Sequence, residues 1–332
     1  MSAGKTTLPM LSGKPMHIVG LGTWQSKSGE VKEAVKIAIE AGYKHIDTAR
    51  GYYNEGEIGE ALEEMIKAGR VTREELFITT KVLNCAAALP HRVRQQTEIS
   101  LKLLKTSYID LLLIHFPIAF EDSKLDDTPP SFLPFSEKGE ALVSDVDYLD
   151  TYKEMEKLVD AGLVKALGLS NFSIEQVKRV WDAARIKPTN NQVECHAWFP
   201  QHELTEFCQS KGMTLSAYGP IGSPGSAAIR GSKTSDVLLE DPVVVKLAEK
   251  LKKTPAQILM RYLIQRNIIV LPKSVNRDRI ISNLQLFDFE LSDAEMEEMK
   301  SINREERLFT FASFFKGDKV ENHPHLPWPK VL

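Results

Sequence analysis

The sequence predicts an α/β fold, a (β/α)8 barrel with long loops after its fourth and seventh strands and a C-terminal loop, on three observations. Short apolar runs with strand character recur at fairly regular spacing. Segments of helical period follow them, and such alternation marks parallel βαβ units. Seven of the runs end on side chains suited to chemistry, and a (β/α)8 barrel gathers the C-terminal ends of its strands on one face.

Met16-His17-Ile18-Val19 leads into Gly20-Leu21-Gly22-Thr23, a first strand meeting a glycine turn. Residues 31–41 then place Val31, Ala34, Val35, Ala38 and Ala41 at helical spacing. His45-Ile46 runs into Asp47, and residues 55–68 repeat the helical period through Ile58, Ala61, Leu62, Met65 and Ile66. Phe77-Ile78-Thr79-Thr80 ends on Lys81, followed by helix 92–104; the run 109–114 ends on His115. Helix 152–163 precedes Leu167-Gly168-Leu169, which ends on Ser170-Asn171. Helix 174–184 follows, opened by Ser173 as N-cap. Asn191 runs into Gln192 and Leu215 into Tyr218. Pro255 takes the first position of helix 256–265 after Thr254, before the run 268–272 reaches Lys273. Three stretches break this rhythm, 117–150, 219–240 and 304–332, and loops of such length are usually lids or disordered. Lids are the reading adopted for them.

At 332 residues the chain exceeds the roughly 250 of a typical barrel by about 80, a surplus those stretches absorb. No linker divides it, so residues 1–332 are read as one domain. Apolar residues at 42% and charged residues at 26% are ordinary for a globular enzyme. A net charge of −3 disfavours nucleic acid or an anionic membrane as partner. No apolar run reaches the ~18 residues of a membrane span, and residues 1–14 lack the apolar core of a signal peptide. Cys85, Cys195 and Cys208 have no metal-type spacing, so a reduced, cytoplasmic chain with buried thiols and no metal is expected.

Four strand-end residues form a chemical set. A tyrosine hydroxyl, with a pKa of about 10, is a poor acid at neutral pH. Lys81 beside Tyr52 is expected to stabilise the phenolate and so lower the phenol's pKa, and Asp47 to hold the ammonium charged and in place. Tyr52 could then protonate an alkoxide as hydride reaches a carbonyl carbon, with His115 donating a hydrogen bond to the same oxygen. Gly20-Leu21-Gly22-Thr23-Trp24-Gln25 begins like a GxGxxG dinucleotide loop but lacks the third glycine, which leaves a Rossmann fold as the lesser alternative. Lys273, Ser274 and Arg279 after the last strand suit a phosphate monoester. Ser170, Asn171 and Gln192 could bind a carboxamide, and Tyr218 offers a flat face for a nicotinamide ring.

These residues resemble the aldo-keto reductase superfamily along essentially the whole chain. The motifs are Gly42-Tyr43-Lys44-His45-Ile46-Asp47-Thr48-Ala49 with Tyr52 and Asn54-Glu55; Leu113-Ile114-His115-Phe116-Pro117; Gly168-Leu169-Ser170-Asn171-Phe172; and Leu271-Pro272-Lys273-Ser274 with Arg279 and Asn283. The resemblance is closest to the aldose and aldehyde reductase branch. It implies NADPH-dependent reduction of aldehydes and ketones by a monomer, with Tyr52 as general acid, Lys81 and Asp47 tuning it, and His115 orienting the carbonyl. It also implies cofactor contacts at Gly22, Thr23, Trp24, Ser170, Asn171, Gln192, Tyr218, Pro220, Ile221, Ser223, Lys273, Ser274, Arg279 and Asn283. Trp24, Tyr52, His115, Phe116, Phe132 and Trp328 are expected to line the substrate pocket. Arg50 is expected at its rim as a solvated charge. The alternative function is an NADPH-binding sensor subunit with little turnover, which the complete set of four residues disfavours.

The chain departs from the aldose reductase pattern at several positions. Lys44 replaces an arginine, Leu83 and Phe116 replace pocket tryptophans, and Ser282 replaces a glutamate. Gln25 and Gly225 stand where that enzyme has a lysine–aspartate clasp over the cofactor, and the C-terminal segment does not match its reactive-cysteine tail.

Overall fold

Eight parallel strands form the central sheet of the protein, described here from a computed structural model covering residues 6–83, 90–121, 134–226, 236–310 and 317–326. After a two-stranded antiparallel hairpin, β1 (Thr7–Leu8) and β2 (Met16–His17), the sheet runs in chain order. Its strands are β3 (Leu21–Gly22), β4 (His45–Asp47), β5 (Phe77–Val82), β6 (Ile109–Ile114), β9 (Val164–Ser170), β10 (Asn190–Glu194), β11 (Thr214–Tyr218) and β12 (Ile268–Leu271). The last strand returns to the first: the Gly20 N–H donates to Val270 O (2.9 Å) and the Gly22 N–H to Pro272 O (3.0 Å). The sheet is therefore a closed barrel, as the strand–helix alternation predicts. A Rossmann fold is ruled out, because its sheet stays open.

The apolar run 16–22 serves two sheets. Met16–His17 pairs with the hairpin, and only from Val19 does the run bridge to the barrel, at Val270. Gly20 is required by packing rather than by a phosphate. A Cβ there would lie 2.5 Å from His45 Nδ1 and 2.7 Å from Leu271 Cδ2. Gly59 has a parallel role between two outer helices, Glu55–Lys67 and Val93–Leu103, where a Cβ would meet Leu103 O at 2.0 Å.

Expected helices appear at Glu30–Ala41, Glu55–Lys67, Val93–Leu103, Ile174–Ala183 and Pro255–Gln265. Ser173 and Thr254 each close a capping box, with Gln176 and Gln257. The helix expected at 152–163 begins earlier and spans Tyr148–Asp160, because the Asp147 carboxylate accepts the Leu149 N–H (2.9 Å) and starts it. Further helices form at His202–Ser210, Pro242–Leu251, Arg277–Ser282, Asp293–Ser301 and Asp318–Glu321. The stretch 117–150 contains a hairpin of its own, β7 (Ala119–Phe120) with β8 (Val143–Ser144). Leu83, Phe116, Ile118 and Phe120 pack beneath it with Val320 and Leu326 of the C-terminal segment, an apolar cluster separate from the main core. No helix among the described residues is long and apolar enough to cross a membrane.

Candidate active site

The C-terminal strand ends open onto one cleft of about 870 Å³, within the usual range for a small-molecule site. Asp47 closes β4, His115 follows β6 directly, Ser170 ends β9 and Tyr218 ends β11. Lys81 sits inside β5 and is buried beneath the cleft floor. Tyr52 hangs over these ends from a single turn of 3-10 helix, Arg50–Tyr52.

Lys81 Nζ donates to Asp47 Oδ1 (2.7 Å) and to Thr48 O (2.9 Å), and lies 3.4 Å from the Tyr52 hydroxyl. Tyr52 meets the His115 ring edge-on at 5.7 Å. The four residues meet as the sequence suggests, but the electrostatic expectation needs correcting. Burial, reinforced by the charge of Asp47, holds the Tyr52 phenol well above its ordinary pKa, not below it. The physical reason is that the buried phenol would lose its solvation on ionising, next to a carboxylate of like charge. Burial also lowers the pKa of Lys81 from its ordinary 10.5, against the pull of Asp47. His115 is held well below 6.5 by burial and by Lys81, so its imidazole is neutral at neutral pH and has one N–H to donate.

Gln192 takes an unexpected partner. Its Nε2 donates to Asp47 Oδ2 (2.7 Å), so the aspartate is held from both sides, by Lys81 and by an amide from across the barrel. Asn171 adopts a left-handed backbone (φ 65°), which asparagine tolerates better than most residues. From there its Nδ2 donates to His115 O (2.9 Å), and its Oδ1 accepts the Tyr218 hydroxyl (2.8 Å). Ser170 Oγ donates to Gln192 O (2.8 Å). Thr23 Oγ1 donates to Asp47 O (2.9 Å), and the Thr23 carbonyl accepts Asn54 Nδ2 (2.9 Å). Much of the polar lining is thus oriented by neighbouring protein groups.

All the other expected site residues within the described segments line this same cleft. Gly22, Trp24 and Phe116 stand near the Tyr52 end with Asn171 and Gln192. Pro220, Ile221 and Ser223 come from the loop after β11. Lys273, Ser274, Arg279 and Asn283 line it from the segment after β12, where Lys273 bridges to Gly22. Phe132 and Trp328 lie outside the described residues, as does Cys85. Cys195 and Cys208 are buried, in keeping with their reading as small core residues. Arg50 is only 5% exposed, not a solvated rim charge. It is drawn inward by the buried carboxylate of Glu55, which takes hydrogen bonds from Thr80 (2.7 Å) and Ser100 (2.9 Å).

Sequence reasoning missed Phe309, Thr254 and Asn276, which also line the cleft. Asn276 had a local signal, since it caps the helix Arg277–Ser282 through the Arg279 N–H (3.0 Å). Phe309 had none, because it reaches the cleft through contacts distant in sequence, with Glu194 of β10, Tyr218 of β11 and Trp24. Gln25 and Gly225 both line the cleft, but neither side chain carries a charge. The loop is instead tied at its returning end, where Arg304 pairs with Asp236 (2.7 Å).

The comparisons agree with this architecture. The model of the Aldo/keto reductase family matches residues 18–304. Aldo-keto reductase family 1 member A1 of Gallus gallus is 43% identical over 334 residues, covering 99% of both chains. Its Homo sapiens counterpart is 41% identical over 321 residues, covering 96% of each. The structure of the aldose reductase from Schistosoma japonicum superposes with a TM-score of 0.87 at 42% identity, covering 98% of this chain and 99% of that one. With its barrel, its matched motifs and these relatives, the chain belongs to the aldo/keto reductase family, on the aldose and aldehyde reductase side.

Proposed function

We propose that the protein is an NADPH-dependent reductase of aldehydes and ketones, with Tyr52 as the proton donor. The observation that carries this reading is the Asp47–Lys81–Tyr52 cluster, with His115 edge-on to the phenol, in one cleft with the cations Lys273 and Arg279. That combination fits a dinucleotide carrying an extra phosphate. Lys273, Ser274 and Arg279 would hold the 2′-phosphate, and Ser223 would contact the pyrophosphate. Ser170, Asn171 and Gln192 would meet the carboxamide, and Tyr218 would support the nicotinamide ring. Bound there, the cofactor supplies a hydride.

The chain's own residues do the rest. The neutral His115 donates a hydrogen bond to the carbonyl oxygen and orients it. As the carbon gains hydride, the C–O π pair moves to oxygen and takes the proton from the Tyr52 hydroxyl, giving the alcohol. Lys81, held by Asp47, stabilises the phenolate left behind. A phenol with a raised pKa is fully protonated at neutral pH, and the nearby ammonium acts when the charge develops. Trp24, Phe116 and Leu83 supply apolar surface for the rest of the substrate.

The deciding experiment is turnover by purified protein with NADPH and a panel of aldehydes and ketones, followed by cofactor absorbance. Oxidation of NADPH with stoichiometric alcohol formation is expected. Leu83 in a position of tryptophan leaves room, so kcat/KM should favour large aromatic aldehydes over glyceraldehyde by about tenfold or more. Tight NADPH binding without turnover of any carbonyl would replace this reading with that of a sensor.

The proton-transfer assignment also fixes a pH dependence. As pH rises, the first of the pair to titrate is Lys81, lowered from 10.5, rather than Tyr52, raised from 10.0. Activity needs the ammonium charged, so kcat/KM for reduction should fall along an alkaline limb centred below 10.5. A limb centred at or above 10.5 would assign it to the phenol and remove the Lys81 charge from the step.

A further inference from the structure

Glu194 ends β10 fully buried, and the reaction described above gives it no task. Its Oε1 accepts the Leu308 N–H (2.6 Å) and lies 2.9 Å from His196 Nε2. Its Oε2 accepts the Phe309 N–H (3.1 Å), with the Arg307 guanidinium at 3.5 Å. Burial opposes its ionisation, yet His196, Arg307 and the Leu308 N–H together hold it below the ordinary carboxylate range. Two consecutive backbone N–H groups aimed at one carboxylate fix the path of the chain at Leu308 and Phe309.

That path puts an aromatic ring against the cofactor platform. Phe309 meets Tyr218 in a T-shaped contact at 5.6 Å, and Trp24 in a tilted one at 5.8 Å. Glu194 and Tyr218 are direct partners across the β10–β11 pair. The Tyr218 hydroxyl is already anchored on Asn171 (2.8 Å), so Phe309 is a second support for the same ring. We propose that Glu194 is a positioning residue for the nicotinamide. By fixing Phe309 it fixes the plane of Tyr218 on which that ring stacks. The inference rests on the NADPH reading above.

The test measures binding without turnover, by fluorescence titration of the intact protein with NADPH, NADH and 2′,5′-ADP, which has no nicotinamide. Phe309→Ala and Glu194→Gln should each weaken both NADPH and NADH by about three- to tenfold, the scale of one aromatic pair. Affinity for 2′,5′-ADP should stay at the wild-type value, and the double variant should lose no more than Phe309→Ala alone. Unchanged NADPH affinity in Phe309→Ala overturns the proposal. So does equal weakening of 2′,5′-ADP, which would mark a general loosening of the fold. If Glu194→Gln does not fold, Glu194→Asp, which draws the carboxylate back by one methylene, replaces it under the same criteria. A wild-type protein that binds neither NADPH nor 2′,5′-ADP fails differently, since it overturns the cofactor assignment itself.

Discussion

Tyr52→Phe is expected to lower kcat for carbonyl reduction by about 10²–10⁴-fold while leaving NADPH affinity at the wild-type value. The substitution removes one oxygen and keeps the ring. The ring's packing is therefore preserved, edge-on to His115 at 5.7 Å and tilted against Trp24 at 6.5 Å. The Asp47–Lys81 pair does not depend on the phenol either. Its 2.7 Å hydrogen bond and the contact of Lys81 with Thr48 O are made without it. What disappears is the phenolic proton held beside the ammonium, the group whose charge balances the phenolate at the moment of transfer. Single-turnover measurements with saturating NADPH separate this step from binding and product release. A rate within threefold of wild type would take Tyr52 out of the mechanism, whatever the variant's stability.

The second large effect is at the cations that follow β12. Lys273→Met should weaken NADPH by about 10- to 100-fold, the worth of one charge-assisted hydrogen bond, and leave NADH within twofold of wild type. Lys273 follows β12 at the point where the chain bridges back to Gly22, so its backbone is held by the barrel itself. Its side chain is exposed, with Nζ 3.4 Å from Gln25 O, and methionine at this position opens no cavity in the core. The change is therefore confined to the charge offered to a phosphate. Direct titration with both nucleotides decides the matter: equal losses for NADPH and NADH would mean that Lys273 supports the cleft generally and does not read the 2′-phosphate. Arg279, exposed on the short helix Arg277–Ser282, supplies the second cation and limits the loss from removing either one.

The sequence by itself determined the barrel and the membership of its upper face. Strand and helix periods are local properties, as are caps such as Ser173 and Thr254, and a polar residue closing an apolar run marks a strand end wherever that strand later packs. Asp47, Lys81, His115, Ser170 and Tyr218 were legible in this way, because the fold places consecutive strand ends side by side. Helix starts set by a single side chain, such as Asp147, were less legible, since the long loop before it masks the period.

Only the tertiary structure decided which atoms face each other. Gln192 reaches Asp47 across 145 positions of sequence, and Glu194 reaches Leu308 across 114. No local pattern encodes either distance, because the first follows from barrel closure and the second from the C-terminal segment folding back onto β10. The same holds for the electrostatics. A lysine beside Tyr52 is expected to lower the phenol's pKa, but burial and the charge of Asp47 reverse the sign, and solvent exclusion is a property of the assembled cleft rather than of the residues that line it.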